Sequence, residues 1–342
     1  MLPESTIEFT TRTPLWTGNA EKKSEEALET AILGSLRWWA ETYFRGHGYA
    51  VPDIGVKSGD NVVAKWLGCT EQRRQFRFLL TQRSADPNQL LLDRAPGSKV
   101  FCIPSTAPRR RERNEQACWY FPGQPLAGDF RICMPGATPK DVKRVEAVLT
   151  LAAQFGAVGA RAQSGCGVIC TRISIEDALA VLDEWRGNVL PDDYAGELDP
   201  NLPSLRNLFF AEYVLSEPQD TATNQHLTFR LRQRIRDSFR VSGGRYDPLT
   251  GLRHQVCGTV SGAKIGSKVF VSFPYYDDAR GPHGIIRIWG WLPAVLESGW
   301  SRQAVLGHIA RAIADGFGLM PIMPVWSHLT DEKPEILPQG NA

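Results

Sequence analysis

Leu28, Ile32, Leu36, Trp39 and Tyr43 recur at steps of four, four, three and four, the apolar stripe of a helix over residues 29–48. Its other side carries Thr30, Gly34, Arg37, Glu41 and Arg45, also at helical spacing. Gly34 sits mid-helix, where glycine costs about 1 kcal/mol relative to alanine, so something approaches the thinned backbone there. Around this helix the pattern shifts to period two. Residues 7–11 alternate as a first strand. Residues 75–81 read as another, with Phe76, Phe78 and Leu80 on one face and Arg77 on the other, and Arg73 and Arg74 in the turn before it. Residues 62–67 read as a short strand or a helix end, 90–93 and 99–103 as short strands, and 104–122 as an arginine-rich loop holding Arg109, Arg110, Arg111 and Arg113. A strand follows at 129–134. Thr138 then caps a helix over 139–154 with Pro139 at its first position and a stripe of Val142, Val145, Leu149 and Ala152. A strand over 168–173 and a helix from Ser174 to near Arg186 complete the first half. Strand, helix, strand, strand, helix, strand is the order of a ferredoxin-like unit with insertions.

Residues 188–203, rich in proline and acids, read as a linker. Beyond it come a strand at 205–215 and a helix at 224–240. Leu227, Leu231 and Ile235 form that helix's buried stripe, while Arg230, Arg232, Arg234, Arg236 and Arg240 spread over its exposed side, as a solvated face or a contact with phosphate or a partner. Residues 254–266 read as a flexible connection, and 267–273 and 284–292 as strands. Ser301 caps a last helix carrying Val305, Ile309, Ala312 and Ile313, ended by Gly316 and Gly318. Gly68 before FRFLL echoes Gly258 before KVFVS, each following an arginine-bearing amphipathic helix. The expectation is an α+β protein of two tandem ferredoxin-like domains, 1–190 and 204–330.

Composition changes this picture little. The chain of 342 residues is long enough for two cores, and its 42% apolar content is that of a globular protein. No apolar run reaches the ~20 residues of a membrane span, and the amino terminus lacks a signal-peptide pattern, which implies a cytoplasmic protein. Seven scattered cysteines fit a reducing compartment, and Cys166 and Cys170 have no second pair at zinc spacing. A net charge of +2 argues against a free-standing, strongly basic nucleic-acid binder, yet the positive charge is mostly arginine and clusters.

The segment 156–167 places Gly156, Gly159, Gly165 and Gly167 directly before a strand, with Arg161 among them. No Gly-Lys-Ser/Thr follows, so it is not a Walker loop; it precedes a strand, so it is not a dinucleotide fingerprint. Such glycines serve either a tight bend or a close approach of main-chain amides to phosphate. Six histidines are dispersed, and the chain has no GxSxG, HExxH or Asp-x-Asp; Asp277-Asp278 reads as a turn. No cofactor or metal is implied. Trp16, Trp38 and Trp66 each lie near a basic residue, where an indole either stacks on a base or fills a core.

With these elements in place, Thr13-Pro14-Leu15-Trp16-Thr17-Gly18 followed by ETAILGSLRWW resembles the amino-terminal signature of the RAMP superfamily of CRISPR proteins. More narrowly, it resembles the group forming the first subunit of the type III-B (Cmr) RNA-targeting complex. The resemblance covers residues 13–45, 68–80 and 156–169 best, and 258–272 in the second half. RAMP proteins carry a glycine-rich loop between their last helix and last strand, which favours the phosphate reading of 156–167. The resemblance implies an RNA-binding subunit at the guide 3′ end that helps capture target RNA and does not itself cut. Its implied partners are CRISPR guide RNA, target RNA and the backbone and head subunits of a Cmr complex. Trp16, Gly34, Arg37, Trp38, Arg73, Arg74, Gly156, Gly159, Arg161, Gly165, Gly167, Lys264 and Lys268 are the expected RNA-binding residues, with Arg37, Arg73, Arg74 and Arg161 lining one cleft and Lys264 and Lys268 extending it. Two other classes stay open. One is a metal-independent RNA-processing endonuclease with His47 as general base; the other is a scaffold whose basic faces meet acidic partners.

Overall fold

A computed structural model describes residues 5–18, 26–52, 61–69, 73–85, 99–104, 116–120, 126–189, 198–215, 221–240, 249–259, 265–277, 284–314, 319–322 and 335–336. The first half runs β1 (Thr6–Thr11), α1 (Glu29–Gly46), α2 (Val62–Leu67), β2 (Leu79–Ala85), β3 (Lys99–Pro104), β4 (Gln116–Tyr120), β5 (Gly128–Cys133), α3 (Pro139–Phe155), β6 (Ile169–Cys170) and α4 (Ile175–Gly187). Its sheet has the order β2-β5-β1-β6, every pair antiparallel, with Phe9 opposite Phe130. β3 and β4 form a separate antiparallel hairpin inserted between β2 and β5.

The second half repeats the plan with β7 (Leu208–Leu215), α5 (Thr221–Ser238), α6 (Thr250–Cys257), β8 (Val269–Val271), β9 (Ile285–Trp291), α7 (Arg302–Ala314) and β10 (Leu319–Ile322). The order β10-β7-β9-β8 matches the first sheet strand for strand, with the first strand of each unit between its third and fourth. β11 (Glu335–Ile336) adds a short parallel pairing to β7. The expected α+β fold with two ferredoxin-like strand orders is present.

Local chemistry explains the elements that match expectation. Thr138 and Asp141 form a reciprocal capping box on α3, Ser174 caps α4 through the Asp177 amide, and the Ser301 hydroxyl accepts from the Ala304 amide at the start of α7. Of the two readings of residues 62–67 the helical one is found, as a helix capped by the Asn61 side chain. Several expectations are corrected. The strand expected from 75 begins at Leu79, although Phe76, Phe78 and Leu80 do point inward and Arg77 outward. β4 lies inside the span read as a loop, where it pairs with β3, and α6 overlaps the span read as a flexible connection. β6 keeps only two ladder residues of the six expected. Residues 90–93, Arg109, Arg110, Arg111, Arg113, Gly316 and Gly318 lie outside the described residues.

The two halves share a core. Trp39 and Trp38 of α1 meet Trp289 and Trp291 of β9, and Phe270 of β8 stacks on Trp289 at 4.3 Å. From Trp39 onward α1 is buried on all sides. Glu41 and Arg45, expected on its exposed side, form a buried ion pair at 3.1 Å, and Arg45 also donates to the carbonyls of Val51, Pro52 and Pro203. A second buried pair closes the joint from the other side. Arg287 of β9 holds Glu212 of β7 at 3.0 Å and donates to the Ala153 and Gly156 carbonyls at the end of α3. Its cation thus meets the negative end of a helix dipole from the first half.

Candidate nucleic-acid interface

The glycine-rich segment folds as a clasp. Gly156 ends α3, and a Cβ there would lie 2.3 Å from the Trp39 ring. Gly159 (φ +84°) would meet the Trp16 carbonyl at 2.8 Å, and Gly165 (φ +98°) the Phe273 amide nitrogen at 2.7 Å. Gly167 (φ +90°) would meet the Val158 carbonyl oxygen at 1.9 Å. These glycines allow protein backbone to approach protein backbone. The amides follow suit. Val158 donates to Gly167, Gly159 to the Ser35 hydroxyl, Ala160 to Trp16, Gly165 to Ala162 and Gly167 to Pro14, while the Gly165 carbonyl accepts from Phe273 in the second half. The expected use of these amides as phosphate donors is therefore corrected: they are spent holding the loop.

Trp16 is corrected on the same grounds. It is 1% exposed, bridges to Ala160 and lies under the Arg161 guanidinium at 4.9 Å, leaving no free face for a base. Trp66 is buried too, donating to Asp141. Trp38 is half-buried among Trp39, Trp289 and Trp291. Arg161 itself is half-buried in a left-handed conformation (φ 59°), and burial lowers its pKa. Gly34 is exposed with nothing within 4 Å of a would-be Cβ, and its neighbour Ser35 ties α1 to the clasp. The thinned stretch of α1 is therefore tied to the clasp at Gly159.

A hollow of about 1000 Å³ opens elsewhere, where α2 ends and β2 is approached. It is lined by Leu67, Gly68, Cys69, Arg73, Arg74, Gln75, Phe76, Arg77, Pro135 and Gly136. Arg73 and Arg77 are exposed; Arg74 is half-buried, its Nε donating to the Phe76 carbonyl at 3.0 Å. The Arg77 amide donates to Pro135, joining this wall to the turn before α3. Arg37 reaches the hollow only from behind, donating to the Gly68 carbonyl. Of the four arginines expected in one cleft, Arg73 and Arg74 line the hollow, Arg37 braces its wall and Arg161 is not among its lining. Arg77 was legible as the outward member of an alternating strand beside two arginines, yet was not singled out.

The equivalent place in the second half differs. Gly258 ends α6 with φ 74° and ψ 167°, close to the 78° and 162° of Gly68 at the end of α2. Arg236 donates to its carbonyl at 2.6 Å and to that of Cys257. Arg232 is half-buried with its Nη1 enclosed, and desolvation pulls its pKa down to about 10. These two arginines, expected on an exposed face, turn inward. The Lys268 ammonium donates to the Gln255 carbonyl and its pKa is lowered by burial; Lys264 lies outside the described residues. His47 follows α1 with its ring 4.6 Å from that of Tyr43 and its Nε2 buried; burial first, then Arg186, lowers its pKa. Asp277 pairs with Arg12 at 3.5 Å. Among the described residues no group of three His, Cys, Asp or Glu side chains is placed to hold a metal ion, and no helix is long and apolar enough to cross a membrane.

Residues 8–170 match the model of the RAMP superfamily. No curated protein matches the chain. The crystal structure of apo Cmr1 from Pyrococcus furiosus is similar with a TM-score of 0.48 and 14% identity, covering 94% of this chain and 99% of that one. A chain of the type III-B Cmr-beta complex bound to cognate target RNA, solved by cryo-EM, is similar with a TM-score of 0.50 and 10% identity, covering 90% of this chain and 99% of that one. At such identity the second likeness is one of fold, extending over nine-tenths of the chain.

Proposed function

We propose, from the match of residues 8–170 to the RAMP-superfamily model, that the chain is the first subunit of a type III-B CRISPR (Cmr) ribonucleoprotein effector. It binds RNA at the guide 3′ end and assists capture of target RNA in antiviral defence. Its partners are guide RNA, target RNA and the backbone and head subunits of the complex, and it works in the cytoplasm as two domains, 1–190 and 204–330. The match of residues 8–170 is the observation that carries this reading. The guide supplies sequence specificity by base pairing, and this chain supplies shape and cationic contacts to the sugar-phosphate strand. Cleavage belongs to neighbouring subunits.

The contacts proposed here are Gly34 and Arg161 on the clasp surface, Arg73 in the hollow, where Arg74 fixes the turn that presents it, and the exposed edge of Trp38. Co-expression of the chain with the other subunits and a guide RNA, followed by ultraviolet crosslinking, tests the assignment. The expected result is co-purification with the complex and a crosslink to guide or target RNA. Absence of the chain from the assembled complex would overturn it. The alternative, a metal-independent endonuclease using His47, is disfavoured because the Nε2 of that imidazole is buried. Incubation with repeat RNA in EDTA separates the two readings: cleavage by the wild type that His47→Ala abolishes would establish the nuclease.

A further inference from the structure

The hollow beside α2 carries a more specific assignment, which rests on the RNA-binding reading above. We propose that it seats the phosphodiester backbone of single-stranded RNA without regard to base sequence, with Arg73 and Arg77 as the contacting cations and Arg37 as a positioning residue. Among the described residues the lining carries three guanidinium groups and no carboxylate. Arginine presents a planar fork suited to paired phosphate oxygens, and it stays charged at any physiological pH. Arg73 and Arg77 are exposed, whereas Arg74 spends its Nε on the Phe76 carbonyl and so stiffens the turn that presents the other two.

The walls are as informative as the cations. Gly68 and Gly136 both adopt positive φ, 78° and 83°, so two sides are bare main chain at positions where a side chain is disfavoured. Arg37 holds the Gly68 carbonyl from the helix side, which keeps that oxygen occupied and its repulsion away from an anion. Phe76 is buried, so among the described residues of the lining no aromatic ring is exposed as a platform for a base. A site of charge and bare backbone reads the strand and not the letters. Its volume of about 1000 Å³ lies at the top of the roughly 300–1000 Å³ range of clefts for small ligands, leaving room for more than a single phosphate. An acidic protein segment would meet the same charges, but the paired guanidinium forks match phosphate oxygens.

The test uses the full chain and fluorescence anisotropy with labelled oligouridine and oligoadenosine. The double variant Arg73→Ala/Arg77→Ala is expected to bind both at least ten-fold more weakly. Its salt dependence should be shallower by about 1.4, two phosphate contacts at roughly 0.7 each for a single strand. Arg73→Lys/Arg77→Lys should keep the salt slope and lose part of the affinity, because charge remains and the fork does not. Arg37→Ala should weaken binding with the slope unchanged, as a residue that braces the wall without touching phosphate. Thermal unfolding of each variant separates lost contacts from lost fold. If the alanine pair binds RNA like wild type while the wild type enters the complex, the hollow is not the RNA seat and the subunit assignment stands. If that pair binds RNA normally but fails to enter the complex, the hollow is a protein-docking site and the proposal is overturned. If wild type neither binds RNA nor enters the complex, both readings fall.

Discussion

The helices α2 and α6 end alike and face opposite surroundings. Each stops at a glycine of nearly the same left-handed φ, and in each case an arginine from the unit's first long helix donates to that glycine's carbonyl, Arg37 to Gly68 and Arg236 to Gly258. Beside Gly258 the chain closes on itself: a Cβ there would lie 2.6 Å from the Ser267 amide nitrogen, and the Thr259 amide donates to Ile265. Beside Gly68 the hollow opens and arginines stand at its rim. One backbone device is thus repeated, and the side chains around it serve packing in one copy and an exposed cationic surface in the other. Arginine count alone is a poor guide to a nucleic-acid face, since guanidinium groups also satisfy carbonyls inside a protein.

The largest effects should come where cations are buried. Arg287→Met leaves Glu212 without its cation and strips the donor from two α3 carbonyls, so urea unfolding should show a loss of about 3–5 kcal/mol. A loss under about 1 kcal/mol would mean that Tyr275, which donates to the same carboxylate oxygen, satisfies Glu212 alone. Next in size is the contrast between two glycines. Gly167→Ala places a Cβ against the Val158 carbonyl at positive φ and should cost about 2 kcal/mol or more. Gly34→Ala meets nothing and should stabilise the helix by about 0.5–1 kcal/mol, measured in the same denaturation. If that variant also binds RNA less well, the open stretch of α1 is where a strand passes; unchanged affinity removes Gly34 from the interface.

Smaller again is the difference between the two bracing arginines. Arg236→Ala should cost about 1–3 kcal/mol by leaving the Cys257 and Gly258 carbonyls short of a donor, with little change in RNA affinity per folded molecule. Weakened RNA binding by correctly folded Arg236→Ala would break the contrast between the halves. The smallest effect is a pH dependence at the end of α1. Burial holds the folded His47 below its ordinary value of 6.5, so the unfolded chain takes up the proton first as pH falls. His47 therefore lowers stability progressively below about pH 6.5 and has no effect well above it. His47→Gln should flatten that part of a stability-against-pH curve; an unchanged curve would assign the acid sensitivity to other groups.

The order of elements was legible because it depends on local patterns. Apolar spacing along α1 and α3, the Thr138–Asp141 box and the alternation of Phe76, Phe78 and Leu80 act within a few residues, and they sufficed for the element order of the first unit, while β10, the edge strand that completes the second, was not read from the sequence. What each polar position does was decided by tertiary structure. Glu41 and Arg45 sit on a helical face that sequence spacing marks as outward, yet the chain around Val51 and Pro203 folds over them and makes them a buried pair. The clasp glycines had two readings until their contacts were known, and those contacts are with Trp16, Val158, Trp39 and Phe273. Arg287 and the α3 carbonyls it serves lie more than a hundred positions apart. Periodicity says which way a side chain points from its own element; only the packing of distant segments determines whether it finds water, a carbonyl or a carboxylate, because that partner is fixed by topology and not by neighbours in the chain.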